Sequence, residues 1–286
     1  FHEGPWVWDD DPDEPGSYAD PDATFEHNDT VEWNHGIGAI VTAHPVALVA
    51  FSICGQAPDT RLFTKAHSVC GEPGFAPYAL PGSELLGERI ATVFAAGHDC
   101  VMLENHGVVV GGKDFSDAFR RFETFEFLAK TVIKARALGP VNYLTAEQLA
   151  VGGKPVCELE EFDPGPASSR ERALRRELCD FIRRGYHQRL LTSNAGSFSV
   201  RLDDDSFLIS TGLVDRATIS PDQLALIQQG RRERGSNPSA ACHLHRLIYQ
   251  KHPEIRAIVN ATPGNATAFS ASAARLDTRT LPESYI

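Results

Sequence analysis

Residues 39–52 read AIVTAHPVALVAFS and residues 257–270 read AIVNATPGNATAFS, identical at eight of fourteen positions with an offset of 218. A chain that writes one apolar frame twice has to build the same local unit twice. In both copies the run AIV is short, apolar and β-branched, which reads as a buried strand. A helix can follow Pro45. The polar insert is what differs: Thr42 and His44 in the first copy stand against Asn260 and Thr262 in the second. The phase of the repeat is unusual as well. Residues 168–256, which lead into the second copy, have no counterpart before residue 39. Residues 81–139, which follow the first copy, have none after residue 286.

Composition limits the classes of function. The 286 residues suit one or two domains. Net charge is −11, and the first Lys or Arg is Arg61. Residues 1–32 alone carry eleven acidic side chains, so an irregular, solvated acidic arm is expected over residues 1–38. An acidic chain argues against nucleic acid as a partner, because phosphate neutralisation needs Lys and Arg. No apolar run reaches the length of a membrane span, and no signal peptide is visible. The first residue is Phe, and the chain is expected to be part of a longer product. Six cysteines (54, 70, 100, 157, 179 and 242) form no CxxC pair, which points to reduced, mostly buried thiols and a cytoplasmic location.

Element signals alternate between strand and helix. PGSELLGERIATVFAAG (81–97) is a helix capped by Ser83 and ended by Gly97. DCVMLENHGVVVGG (99–112) is strand, tight turn, strand, with Gly107 suited to positive φ. From Lys113 to Gly139 the spacing predicts a long helix whose stripe is Phe115, Phe119, Phe122, Phe125, Ala129 and Val132. Residues 53–80 read as turns and short strands, and residues 150–167 as a linker. Ser168 and Glu171 form a capping box before a helix marked by Leu174, Leu178, Phe181 and Ile182. Further strands lie in LLTSNAGSFSVRL and SFLIST. A helix over PSAACHLHRLIYQKHP has Pro238 near its start and a Leu244, Leu247 and Ile248 face. The sum is a mixed sheet covered by helices.

Two histidines sit at strand ends, His44 in Ala-His-Pro and His106 in Asn-His-Gly. Imidazole at a strand end is either a metal ligand or an ordinary structural group, and spacing does not separate the two. His243 and His245, two apart on a helix, point to different faces and are read as structural or exposed. His35 and His67 read the same way. Three Ser/Thr/Gly clusters, TSNAGS, ISTG and SNPSA, can cradle an anion through hydroxyls and backbone amides, or can be plain turn chemistry.

Taken together the motifs resemble one family. APYALPGSELLGERIA, DCVMLENHGVVVGG and FRRFETFEFLAK are similar to the back half of the class II aldolase/adducin domain. TSNAGSFSVR, LISTGL and NPSAACHLHRLIYQKHPEIRAIVN resemble its front half. The resemblance covers roughly residues 39–139 and 168–286. It implies a three-layer α/β/α sandwich around a mostly antiparallel sheet, present in two partial copies. The implied boundaries are the arm at 1–38, a back half at 39–149, the linker at 150–167 and a front half at 168–286. It further implies a homo-oligomer, a divalent metal with zinc first, and a small sugar phosphate as substrate. The metal would be held by a His-x-His pair and the Asn-His-Gly histidine, and would act as a Lewis acid that stabilises an enediolate.

Carried over by position, the family pattern is eroded. Of His-x-His the first copy keeps only His44, beside His106, and Glu72, His67 or the other copy is left to supply a third ligand. The second copy has Asn260-Ala261-Thr262 and keeps neither. The acid/base Glu of Pro-Ser-x-Glu is Ala241, and the Asn of the Gly-Asn-x-Ser loop is Ser197. Ser197, Thr211, Gly212 and Ser239 remain as substrate-phosphate contacts. The resemblance thus implies a metal-dependent lyase with a degenerate second copy. The alternatives are an adducin-like non-catalytic scaffold, or an epimerase or decarboxylase on the same fold.

Overall fold

The structure, a computed structural model, describes residues 36–152, 158–280 and 283, so most of the expected acidic arm lies outside the described residues. The first half runs β1 (Ala39–Ala43), α1 (Val46–Ile53), α2 (Thr64–Cys70), β2 (Gly74–Ala76), α3 (Glu84–Ala95), β3 (Cys100–Leu103), β4 (Gly107–Gly112), α4 (Phe115–Leu138) and α5 (Ala146–Gly152). Its sheet has the order β1-β4-β3-β2, antiparallel except for the β2–β3 pair. Side chains alternate across a strand, so one sheet serves two cores. Cys100, Met102, Val108 and Val110 pack on Leu48, Phe51, Ala66, Phe125 and Leu128 of α1, α2 and α4. Val101, Leu103 and Val109 pack on Leu86 and Phe94 of α3. That is a helix–sheet–helix sandwich.

The second half repeats the architecture with β5 (Glu161–Phe162), α6 (Ser169–His187), β6 (Ser197–Arg201), β7 (Ser206–Ser210), β8 (Leu224–Gln228), β9 (Arg231–Glu233), α7 (Cys242–Lys251), β10 (Ala257–Asn260) and α8 (Gly264–Ser270). The order is β10-β6-β7-β8-β9-β5, with β5–β9 the parallel pair. Leu208, Leu224 and Leu226 face α6 through Leu178 and Ile182. Phe207, Ile209, Ala225 and Ile227 face α7 through Cys242 and Tyr249. Each buried Leu, Ile or Phe among them, moved from water to the interior, contributes roughly 1.5–3 kcal/mol.

The two halves share α4. Ala268 and Ala271 at α8 join Phe125, Leu128 and Val132 in one cluster. Lys134 donates to Asn265 Oδ1 at 2.7 Å, and Glu123 accepts from the Ser193 amide at 2.7 Å. The phenylalanine stripe therefore divides: Phe125 is fully buried, whereas Phe115 and Phe119 are exposed. No helix among the described residues is long and apolar enough to cross a membrane.

Several sequence expectations are corrected. Among the described residues the repeated strand lies at a sheet edge both times: β1 is hydrogen-bonded to β4 alone and β10 to β6 alone, and Thr42 and Val259 are exposed rather than buried. Residues 64–70 form α2 although Phe63 offers no capping side chain, because Ala66, Val69 and Cys70 reach the core. Residues 224–233 form a further hairpin, turned by Gln229 and Gly230 at φ of 52° and 76°. The linker span contributes β5, which pairs with β9. Ser168 caps α6, accepting from the Glu171 amide at 3.1 Å, but the Glu171 carboxylate turns to Arg175 at 2.8 Å and does not close the box. In α7 the buried face is Cys242, His245 and Tyr249, while Leu244 and Leu247 are exposed. That helix begins at Cys242, and Pro238 instead bridges Thr211. Cys70, Cys100, Cys179 and Cys242 are buried as expected and Cys54 is exposed; Cys157 lies outside the described residues.

Candidate functional site

The register of β1 on β4 brings the two strand-end histidines together. Ala43 pairs with Val108, so His44 leaves β1 beside the turn that carries His106. The imidazole centroids are 4.8 Å apart. The turn closes through the His106 amide, which donates to the Leu103 carbonyl at 3.1 Å, and Asn105 takes the left-handed conformation at φ 52°. Positive φ thus falls on Asn105 and not on Gly107. Gly107 is glycine for another reason. A Cβ there would lie 2.6 Å from the Ala43 oxygen and 3.0 Å from His44 Cδ2. Gly107→Ala is expected to cost about 1–3 kcal/mol and to push His44 off its position. The urea midpoint checks the first effect, and the His44 imidazole NMR shifts check the second.

His44 is exposed and His106 half-buried. Burial, followed by the neighbouring His44, holds the His106 imidazole below its ordinary pKa, so it is neutral near pH 7 with a free lone pair. Its Nδ1 is buried without a hydrogen-bond partner. An orphaned imidazole nitrogen beside a second imidazole fits a divalent cation, which needs neutral histidine. The pair supplies two ligands, and no group of three His, Cys, Asp or Glu forms among the described residues. Of the expected third ligands, His67 Nδ1 is engaged with Thr60 Oγ1 at 3.1 Å, and neither His67 nor Glu72 joins the pair. Glu126 of α4 accepts from the Leu48 amide at 3.2 Å. It supplies the cap that Pro45 cannot offer to α1. Nothing local in the sequence pairs residues 48 and 126.

The expected anion contacts gather elsewhere. Ser197, Gly212 and Ser239 line a cavity of about 1180 Å³ in the second half. Its walls include Lys65 of the first half but neither His44 nor His106. Thr211 is buried beside it, and its hydroxyl donates to the Gln223 carbonyl at 2.6 Å. Gly196, at φ 74°, leaves room for the Asn260 oxygen, 2.8 Å from where a Cβ would stand. Behind Ser197 runs a buried polar chain. Ser197 Oγ is 2.9 Å from His245 Nε2, Ser199 Oγ is 2.7 Å from His245 Nδ1, and Ser199 Oγ is 2.8 Å from the Tyr249 hydroxyl. His245 is fully buried, and burial pushes its pKa down to about 4, so it is a neutral structural group.

With this geometry in place, comparison with known proteins supplies the class. The model of the class II aldolase and adducin N-terminal domain matches residues 8–133 and 176–284. The chain belongs to that family. One relative is the 3-oxo-tetronate 4-phosphate decarboxylase of Pectobacterium atrosepticum, 34% identical over 119 residues, which are 39% of this chain and 52% of that one. Another is the methylthioribulose-1-phosphate dehydratase of Yersinia enterocolitica, 31% identical over 80 residues, 27% of this chain and 38% of that one. The chain therefore spans about half or less of these relatives. A solved L-fuculose 1-phosphate aldolase is similar at 24% identity over 40% of this chain and 53% of that one, with a TM-score of 0.37.

Proposed function

We propose that the protein is a metal-dependent lyase of the class II aldolase type, acting on a small sugar phosphate or hydroxy-aldehyde. The observation that carries the reading is the His44–His106 pair, 4.8 Å apart, with a buried and unpartnered His106 Nδ1. These two imidazoles would hold a divalent ion, zinc first, and the third ligand would come from outside the described groups, as in a further copy of the chain. When bound, such an ion supplies Lewis-acid polarisation of a carbonyl. The chain's own part is to keep the His106 imidazole neutral by partial burial and to fix it with the 103–107 turn beside His44. Ser197, Gly212 and Ser239 line a cavity apart from the histidine pair and would meet an anionic group there, with Thr211 bracing the loop behind them. The named relatives are a decarboxylase and a dehydratase, so the bond cleaved stays at the level of a lyase. The exposed Phe115 and Phe119 suit a homo-oligomer, and four buried cysteines suit the cytoplasm.

A second reading, a non-catalytic adducin-like scaffold, is favoured by one specific observation. Ala241 stands where the family carries its acid/base Glu, and Asn260 and Thr262 stand where it carries imidazoles. Metal analysis separates the two. The lyase reading expects about one tightly held divalent ion per site, with affinity falling at least about tenfold in His106→Ala. Purified protein that takes up no zinc, cobalt or manganese after loading sinks it and leaves the scaffold.

A further inference from the structure

Lys65 belongs to the first half of the chain but lines the second-half cavity of about 1180 Å³. It stands in the first turn of α2 and is exposed, so a reactant in the cavity can reach its amine. Other lysines have partners that hold them: Lys130 is paired with Glu126 at 2.9 Å, and Lys134 donates to Asn265 at 2.7 Å. Lys65 has no carboxylate partner among the described residues, and its charged neighbours are the cations Arg120 and Arg216. Arg216, in the same wall, is 1% exposed and donates to the carbonyls of Ala195, Val214 and Gly196. That guanidinium is a fixed positive charge.

Such a place disfavours an ammonium. The first turn of α2 holds no acidic residue, and the helix dipole opposes a cation there. Partial desolvation first, then the charges of Arg120 and Arg216, holds the Lys65 pKa below the ordinary lysine range. The remaining titratable groups of the wall are Glu158, Glu161, Arg232, Cys242 and His243. Of these, Glu161 is paired with Arg232 at 2.8 Å, and His243 Nδ1 is 3.4 Å from the Arg246 guanidinium. A lysine kept partly neutral has a free lone pair, which is what makes an amine a nucleophile. A hydrogen-bond donor waits in the same cavity. Asn194 is 8% exposed and lines it, and its Nδ2 is buried with no hydrogen-bond partner. A buried amide without an acceptor is costly, and a carbonyl oxygen would satisfy it.

We propose that Lys65 is a nucleophilic amine that forms an iminium with a small aldehyde or ketone in this cavity, the carbonyl oxygen accepting from Asn194. The nitrogen lone pair makes the new C–N bond as the carbonyl π electrons move onto oxygen. One proton passes from nitrogen to that oxygen and a second comes from solvent. The oxygen then leaves as water, and nothing is oxidised or reduced. The cationic iminium draws electrons from the adjacent carbon, as a metal does when it polarises a carbonyl. This cavity is the one lined by Asn260 and Thr262, which stand where the first copy has Thr42 and His44. The inference goes beyond the lyase reading and needs no ion at His44 and His106.

Borohydride trapping on the full chain in EDTA tests it, with glyceraldehyde and dihydroxyacetone as probes. Hydride reduces the iminium to a stable secondary amine, which peptide mass spectrometry locates. At pH 7.5 Lys65 is expected to be labelled at least about tenfold faster than Lys113 or Lys130. Its labelling rate is expected to level off at a lower pH than the ordinary lysine value of about 10.4 sets. Lys65→Arg keeps the charge and is expected to fold as the wild type by circular dichroism while losing the fast-labelled site. Asn194→Ala is expected to slow labelling at Lys65 and leave Lys113 unchanged, which a merely exposed lysine would not show. Three results would overturn the proposal: Lys65 labelled no faster than Lys113, a rate at Lys65 unaltered in Asn194→Ala, or labelling that appears only after zinc is added. Because EDTA is present, failure here leaves the metal reading of the histidine pair untouched.

Discussion

Acidification from pH 7 to pH 4 is expected to cost the protein about 3 kcal/mol through His245 alone. The imidazole titrates near its ordinary 6.5 in the unfolded chain but near 4 in the fold, because burial opposes the charged form. The unfolded state therefore binds the proton first as pH falls. Stability from this group is complete above about pH 6.5, declines between 6.5 and 4, and changes no further below that. Its neighbours Ser197, Ser199 and Tyr249 are uncharged at these pH values, so no carboxylate rescues the imidazolium. Urea unfolding followed by circular dichroism at pH 7 and pH 4.5, in the wild type and in His245→Gln, isolates the effect from ordinary carboxylate titration. The variant is expected to lose the extra acid sensitivity. Equal slopes for the two proteins would show that His245 does not titrate as described.

Arg175→Met is expected to destabilise the second half by about 3–5 kcal/mol, the cost of stranding buried carboxylates. Arg175 is a hub. Its guanidinium donates to Glu171 at 2.8 Å and Glu233 at 2.9 Å, and to the carbonyls of Leu224 at 2.9 Å and Pro221 at 3.2 Å. Glu233 also accepts from the Leu226 amide at 3.0 Å. The network fastens α6 to β8 and β9. Removing the cation leaves Glu171, itself 7% exposed, with a charge and no partner. The triple variant Arg175→Met, Glu171→Gln and Glu233→Gln is expected to recover much of the loss, because neutral amides cost less to bury. A single-variant loss below about 1 kcal/mol in the same unfolding measurement would show that the pair is solvated rather than structural.

Helices with their own punctuation are legible in the sequence. Ser83 and Gly97 bound α3, and Gly139 ends α4, because capping is a local exchange of hydrogen bonds. The Asn-His-Gly turn and the doubled AIV strand were readable for the same reason. The family followed from motifs in order, and the matched residues bear it out. Helix α7 shows where local reading fails. Its leucines suggested one buried face, yet Leu244 is 52% exposed and His245 is 0% exposed. The deciding groups, Ser197 and Ser199, lie nearly fifty residues away and give the imidazole two hydrogen bonds that no leucine could use.

The same division holds for the candidate sites. Sequence by itself determined that the chain writes one apolar frame twice, that His44 and His106 stand in Ala-His-Pro and Asn-His-Gly, and that the second frame has Asn260 and Thr262 where the first has Thr42 and His44. Those are statements about residue type and spacing, which period and motif express directly. Only the tertiary structure decided that the two imidazoles lie side by side, that Gly107 is small to admit His44, and that Lys65 of one copy reaches the cavity of the other. Such contacts join residues far apart in the chain. They depend on strand register and on how α4 is shared between the halves, and neither leaves a local periodic mark.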